Sequence, residues 1–253
     1  MNAKVERGAV VVVNLDSDGD RLARLIPDPA LQNMRFIRVS AIRGASIARA
    51  VAGFIPGADT SRPGTLGCFL SHVRAWETIL DEGLDGAIIL EDDVILVRPL
   101  AECHALAKAQ GVDMVFVNNR MALTQPSDEA RADNEGFCSV VDAIMARKDL
   151  NQLACGFDGY YLSREGARRL IEVVASTGVS FDVDWFGLYA CLGRSGLSHI
   201  TANRTFHRKL MQIGTFYDLA APVLTSAVMK VAAVLHSGVP SSRIREDKAA
   251  AAT

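Results

Sequence analysis

The sequence predicts an α/β fold: a mainly parallel central sheet flanked by helices. Three observations predict it. Short apolar, β-branched runs recur along the chain, stretches with apolar residues at steps of three or four alternate with them, and Gly, Pro, Asp and Asn punctuate the joins. A run that is apolar at every position suits a strand covered on both faces, as in parallel sheets.

The elements follow in order. Ala9 to Val13 reads as a first buried strand, broken by turn formers from Asn14 to Asp20. A helix is expected from Asp20 to Leu25, stopped by Pro27 and Pro29. Arg35 to Ala41 reads as a second strand, and Ala45 to Pro63, with Gly53, Pro56 and Gly57, as irregular chain. Leu66, Leu70, Val73, Trp76, Ile79 and Leu80 form one helical stripe between Leu66 and Glu82, which assigns Trp76 to the core. Ala87 to Leu90 is a short strand that runs directly into Glu91-Asp92-Asp93. Pro99 to Gln110 reads as a helix, Val112 to Val117 as a strand, Thr124 to Gly136 as a mobile polar loop, and Val140 to Met145 as a strand. Ser163 reads as the N-cap of a helix ending at Gly178. Ala190 to Ile200 is patterned too weakly to assign. The expected organisation is a domain over residues 1–215, a C-terminal helical segment over 216–236, and a disordered tail over 237–253. The apolar stretch from Ala220 to Leu235 reads as a helix that packs on the domain, forms a dimer contact, or rests on a membrane surface.

Composition limits the function classes. With 253 residues, 49% of them hydrophobic, the chain can bury a sizeable core. A net charge of −2 gives no general attraction to nucleic acid. The five cysteines are scattered and never spaced as CxxC, so they read as small core residues in a reducing compartment. The apolar run near the N-terminus is too short for a signal peptide or a membrane span, so a cytoplasmic location is expected.

Glu91-Asp92-Asp93 is the leading candidate site, because ligands of open α/β sheets bind at the carboxyl ends of strands. If the backbone stays extended, Glu91 and Asp93 point to one side and Asp92 to the other. Two carboxylates on one side repel unless a cation lies between them. Mn²⁺ or Mg²⁺ would accept those oxygens and fill other positions with water and phosphate. The plain alternative is a solvated acidic turn, but AIIL before and VILV after the triplet place three charges inside an otherwise buried segment.

Other groups are open to two readings. Asp182 and Asp184 in FDVDWF are either candidate catalytic bases or turn and N-cap acids, and on an extended segment both face the side opposite Val183. His72 is either a cleft residue or a structural histidine bonded to backbone. Arg204, His207, Arg208 and Lys209 are either a solvated basic loop or positive charge for a bound diphosphate, and His207 is a further candidate metal ligand. The Asp16-Ser17-Asp18-Gly19 run after the first strand also suggests a phosphohydrolase of the haloacid-dehalogenase type. That chemistry needs a basic residue between its two acidic groups, and no Lys occurs between Lys4 and Lys108.

Six segments, in order from residue 10 to residue 186, resemble glycosyltransferase family 25, which contains bacterial lipooligosaccharide glycosyltransferases and animal collagen galactosyltransferases. They are VVVVNLDSDGDRLARL, FIRVSAIRG, GTLGCFLSHVRAWETIL, AIILEDDVIL, GFDGYYLSREGARRL and FDVDWF. The Gly-Cys-x-x-Ser-His run from Gly67 to His72 is the most specific. The resemblance implies a GT-A-like fold of the nucleotide-diphospho-sugar transferase type. It also implies a UDP-sugar donor, Mn²⁺ or Mg²⁺, an inverting reaction, and a saccharide or lipid-linked saccharide acceptor in lipopolysaccharide or surface-glycan synthesis. By the same resemblance Glu91 and Asp93 face metal and donor, with Asp92 beside them. Asn14, Leu15 and Arg21 lie near the nucleotide, Ser71 and His72 line the donor cleft, and Asp184 is the general base. A transfer to a lipid-linked acceptor implies work at the cytoplasmic face of the inner membrane. The chain departs from the family pattern at Arg43 and Thr65, where acidic residues are usual, which keeps a non-catalytic nucleotide-sugar or glycan-binding relative as an alternative.

Overall fold

The computed structural model describes residues 8–51, 60–122, 136–146, 156–179, 181–200 and 204–237. At its centre is β1 (Ala9–Asn14), buried along its whole length. Val10 and Val12 join one hydrophobic core, and Val11 and Val13 the other. An unbroken apolar run is stable here because successive side chains point into opposite layers, both covered.

β1 pairs in parallel with β2 (Arg35–Ser40) and with β3 (Gly86–Glu91). Among the described residues the main sheet has seven strands, in the order β2-β1-β3-β7-β5-β8-β6, where β5 is Met114–Phe116, β6 Phe137–Cys138, β7 Gly159–Ser163 and β8 Ser226–Met229. A second, two-stranded sheet pairs β4 (Val94–Leu96) with β9 (Val234–His236).

Five of the seven strands share one direction, so the sheet is mainly parallel, with two strands running against the rest. β7 enters antiparallel between β3 and β5, and β6 runs antiparallel to β8. A strand's direction is decided by its neighbours' pairing and leaves no mark in its own apolar run. The antiparallel insertion matters to the site: Leu90, near the end of β3, lies opposite Gly159, the start of β7.

Helices cover both faces. On one side α1 (Gly19–Leu25) and α4 (Leu100–Ala109) contribute Leu25, Leu100 and Cys103 to the core around Val10 and Val12. On the other, α3 (Pro63–Asp81), α6 (Arg164–Thr177), α7 (Val183–Leu197) and α8 (Arg204–Tyr217) bring Trp76, Leu170, Phe186 and Leu210 against Val11 and Ile89. Ser163 caps α6 by accepting from Gly166 N–H at 3.0 Å, as its sequence position suggests.

Four expectations change. Residues 44–51, read as part of an irregular stretch, form α2 (Gly44–Val51). Val140–Met145, read as a strand, is α5, because Ser139 caps it by accepting from Asp142 N–H at 3.0 Å. The FDVDWF segment is not a strand: Asp182 is the N-cap of α7 and Asp184 lies in its first turn. The expected C-terminal helical segment, 216–236, instead carries β8 inside the main sheet and β9 beside β4, so it is not a separate unit. Its apolar run cannot be told from a buried helix by periodicity, and pairing with β5 decides it. The expected helix between 220 and 235, whether packed on the domain, in a dimer contact or on a membrane, is therefore absent. The predicted loop at 124–136 (all but Gly136) and the tail at 237–253 (all but its first residue) lie outside the described residues. Among those residues, no helix is long and apolar enough to cross a membrane.

Candidate functional site

One cleft lies at the end of the sheet where β1, β3 and β5 finish and β7 begins. It is lined by Leu15 and Arg21 after β1, Thr65, Cys68, Ser71 and His72 on α3, the triplet at the end of β3, Arg120 after β5, Phe157 and Asp158 before β7, and Asp182 and Asp184 at the start of α7.

Two glycines set the wall formed by α3. A Cβ on Gly44 would lie 1.6 Å from Pro63 O, and one on Gly67 would lie 2.5 Å from both Gly44 N and Ile42 O. The start of α2 and the first turns of α3 therefore touch backbone to backbone, which only glycine permits. Ser71 closes this clasp, accepting from Ile42 N–H at 2.7 Å and donating to Gly67 O at 2.6 Å. The specific Gly-Cys-x-x-Ser-His run is thus largely a device for fixing the loop after β2 while aiming Cys68 and His72 at the acidic strand end.

The three acids at the end of β3 are not equivalent. Asp92 accepts from Asn14 Nδ2 at 2.6 Å and pairs with Arg21 at 3.4 Å. Asn14 also accepts from Arg38 Nε at 3.0 Å, is 1% exposed, and stands behind the cleft wall. It braces Asp92 rather than lining the cleft, unlike its neighbour Leu15. Arg21 reaches Asp93 as well, at 3.8 Å. Glu91 turns the other way, toward His72 Nε2 at 3.5 Å and Cys68 Sγ at 3.9 Å.

Asp182 and Asp184, indistinguishable in sequence, are separated by the fold. Asp182 sits at the rim, where Arg62 donates to both of its oxygens at 3.0 and 3.1 Å. Asp184 points inward and accepts from Phe157 N–H at 2.9 Å. Desolvation, then the nearby Glu91 charge, pushes Asp184 up to about 7, against the opposing pull of Arg120. Glu91 is raised well above the ordinary carboxylate range by desolvation first, then by Asp93 and Asp158, although 31% of its side chain stays open to the cleft. Burial also raises Asp158. It lowers His72 to about 4, so that ring is neutral at physiological pH despite Asp184 and Asp158 nearby.

The residues fit a hard divalent cation. Asp93 Oδ1 is buried and has no hydrogen-bond partner. Neither oxygen of Asp158 has one either, although Oδ2 lies in an ion pair 3.2 Å from Arg120 Nε. Carboxylate oxygens left this way suit Mn²⁺ or Mg²⁺. A softer set also meets here: one donor atom each of Cys68, His72 and Glu91, all within 4.8 Å of one another.

Sequence reasoning missed Arg120, Asp158 and Arg62. The first two had signals: Arg120 follows a strand end, and Asp158 lies inside GFDGYYL. Arg62 pairs with a residue 120 positions away and left none. His207 lies on α8 and is not among the cleft's lining residues, and Lys209 packs its ammonium over Phe181 at 5.6 Å. The basic group from 204 to 209 is helical, not a loop. Asp16, which a phosphohydrolase would need in the cleft, is 73% exposed and held by Arg38 and Ser40 outside it.

A cleft of buried acids at the strand ends of an α/β fold lies where proteins of this class bind their ligands. The family described as Glycosyltransferase family 25 (LPS biosynthesis protein) matches residues 8–186, and this chain belongs to it. It is 28% identical over 181 residues to procollagen galactosyltransferase 1 of Danio rerio, a match covering 64% of this chain and 28% of that protein. It is 29% identical over 175 residues to the lacto-N-neotetraose biosynthesis glycosyltransferase LgtB of Neisseria gonorrhoeae, covering 64% of this chain and 59% of the relative. The chain thus spans less than two thirds of either relative's length. Mouse xyloside xylosyltransferase 1, a solved structure, aligns over 92% of this chain and 85% of its own at 11% identity with a TM-score of 0.41, a likeness too distant to bear on function.

Proposed function

We propose that this chain is a metal-dependent, inverting hexosyltransferase. It moves galactose or glucose from a UDP-sugar to a saccharide acceptor, free or lipid-linked, in lipopolysaccharide or other surface-glycan synthesis. The observation that carries the reading is Asp184: a carboxylate raised to about 7, sharing a strand-end cleft with acids whose buried oxygens lack hydrogen-bond partners. Relatives named as galactosyltransferases favour galactose. The proposed setting is the cytoplasmic face of the inner membrane, where nucleotide sugars and lipid-linked acceptors meet.

An inverting transfer needs a base on one side of the sugar and charge compensation on the other. Asp184 takes the proton from the acceptor hydroxyl. The freed oxygen pair attacks the anomeric carbon as that carbon's bond to the diphosphate oxygen breaks, and UDP leaves with the bonding pair. Phe157 N–H fixes Asp184's orientation through the step. A Mn²⁺ or Mg²⁺ ion would supply the positive charge that holds the departing diphosphate, and Asp93, Glu91 and Asp158 would hold it, a reading supported by their unpartnered or cleft-facing oxygens. Arg21 and Asn14 occupy the Asp92 oxygens, so the acid triplet presents an asymmetric face to the cleft.

The test is UDP release from UDP-galactose and UDP-glucose with and without Mn²⁺, preceded by thermal-shift binding of both nucleotide sugars. Turnover that survives chelation would refute the metal-dependent reading. Binding without turnover against any saccharide would favour a non-catalytic nucleotide-sugar-binding relative.

A further inference from the structure

Trp76, Tyr160 and His72 form a buried chain of hydrogen bonds that ends at the cleft. All three are 0% exposed. Trp76 Nε1 lies 2.8 Å from Tyr160 Oη, which lies 3.0 Å from His72 Nδ1. On the far side of the ring, His72 Nε2 is 3.5 Å from Glu91 Oε1.

Counting hydrogens assigns every role in this chain. An indole nitrogen only donates, so Trp76 occupies a lone pair of the Tyr160 oxygen. The phenol has one hydrogen, and His72 Nδ1 is the acceptor placed to take it. Nδ1 must then offer a lone pair, and a neutral imidazole carries its hydrogen on the other nitrogen. The opposite tautomer would point two hydrogens, from Trp76 and His72, at the phenol oxygen. It would also strand the buried Tyr160 hydrogen without an acceptor, an arrangement that folded proteins avoid.

We infer that Trp76 and Tyr160 hold His72 as a neutral Nε2–H donor aimed at Glu91, making Tyr160 a positioning residue for the cation site. The inference rests on the proposed function for its consequence, though not for its geometry. Cys68, His72 and Glu91 resemble a soft-metal triad by distance alone. His72 Nε2 bears a hydrogen, however, and has no lone pair to give a metal. The ring instead steadies one Glu91 oxygen and leaves the other for the cleft. Partners that orient a metal-binding group in this way typically matter ten-fold or more to metal affinity.

The tautomer is read by two-bond proton–nitrogen correlation spectra of the ¹⁵N-histidine-labelled chain. Only five histidines are present, and the His72 signals are those missing from His72→Gln. The Nε2–H pattern is expected, and the Nδ1–H pattern or a doubly protonated ring at neutral pH would overturn the inference. Mn²⁺ binding, followed by the paramagnetic resonance of free Mn²⁺, tests the positioning role. Tyr160→Phe should weaken it about ten-fold with the fold intact by circular dichroism, and unchanged affinity overturns the role. If Tyr160→Phe does not fold, two His72 variants decide. A glutamine amide nitrogen reaches the Nε2 position and an asparagine's reaches Nδ1, so His72→Gln should bind Mn²⁺ about ten-fold more tightly than His72→Asn. Equal loss or the reverse order overturns the role. If the wild-type chain binds no Mn²⁺ at all, the metal-dependent function fails, and the spectra still decide the hydrogen-bond assignment.

Discussion

Replacing Asp184 by asparagine separates its cost to the fold from its service to the reaction. Folding raises this carboxyl from 3.8 to about 7, mainly by desolvation and then by the Glu91 charge. Because the folded state binds the proton more tightly, this group's contribution to stability falls as pH rises from about 4 to about 7, and is flat above that window. At about 1.4 kcal/mol per ten-fold change in proton affinity, keeping the group ionised costs on the order of 4 kcal/mol. The asparagine side chain of Asp184→Asn would still accept from Phe157 N–H but carry no charge. In chelator-treated protein, the variant should therefore be the more stable at about pH 8, melting several degrees higher at roughly 2–4 °C per kcal/mol. The advantage should be about 3 kcal/mol smaller at about pH 5, where the folded wild type is already protonated. Thermal melts at the two pH values measure this. A stability gap that does not change with pH, or a less stable variant at the higher pH, would refute the buried-base geometry. The same variant should bind UDP-sugar and lose transfer, and normal transfer would remove Asp184 as the base.

Asp93→Ala should abolish Mn²⁺-dependent UDP release, because Asp93 Oδ1 is the buried, partnerless oxygen of the triplet; full metal-dependent turnover in this variant would show that the cation is held elsewhere. Asp182→Asn should lower turnover much less than Asp184→Asn, since Asp182 is tied to Arg62 at the rim; equal losses, compared by kcat, would return the two acids to equal standing. Gly67→Ala forces a Cβ to within 2.5 Å of the Ile42 carbonyl and should cost about 3 kcal/mol or more by denaturant titration. A loss under about 1 kcal/mol would mean that the α2–α3 contact relaxes freely.

Much of the scaffold was legible in the sequence because local rules govern it. β1 to β3, α1, α3, α4 and α6 lie close to where runs, stripes, caps and prolines put them. The errors fall where a local cap or a tertiary partner overrides an ambiguous apolar run. Val140–Met145 is β-branched at its start, yet the Ser139 cap turns it into a helix. The 220–235 run is apolar enough for either state, and the open edge of β5 makes it a strand.

By itself the sequence determined that carboxylates end a buried strand, that Gly67 to His72 marks the family, and that Asp182 and Asp184 are the acids to weigh. The acids follow from chemistry that short spacings carry, and the Gly67 to His72 run from its resemblance to the family. Only the tertiary structure decided what each acid can do. It turns Asp92 back onto Asn14 and Arg21, ties Asp182 to Arg62, buries Asp184 against Phe157 N–H, adds Asp158 through an antiparallel strand whose direction no local pattern encodes, and pairs it with Arg120 from beyond β5. Charge partners and desolvation depend on residues far apart in the chain. A carboxylate's identity is therefore written in the sequence, and its role is written in its neighbours.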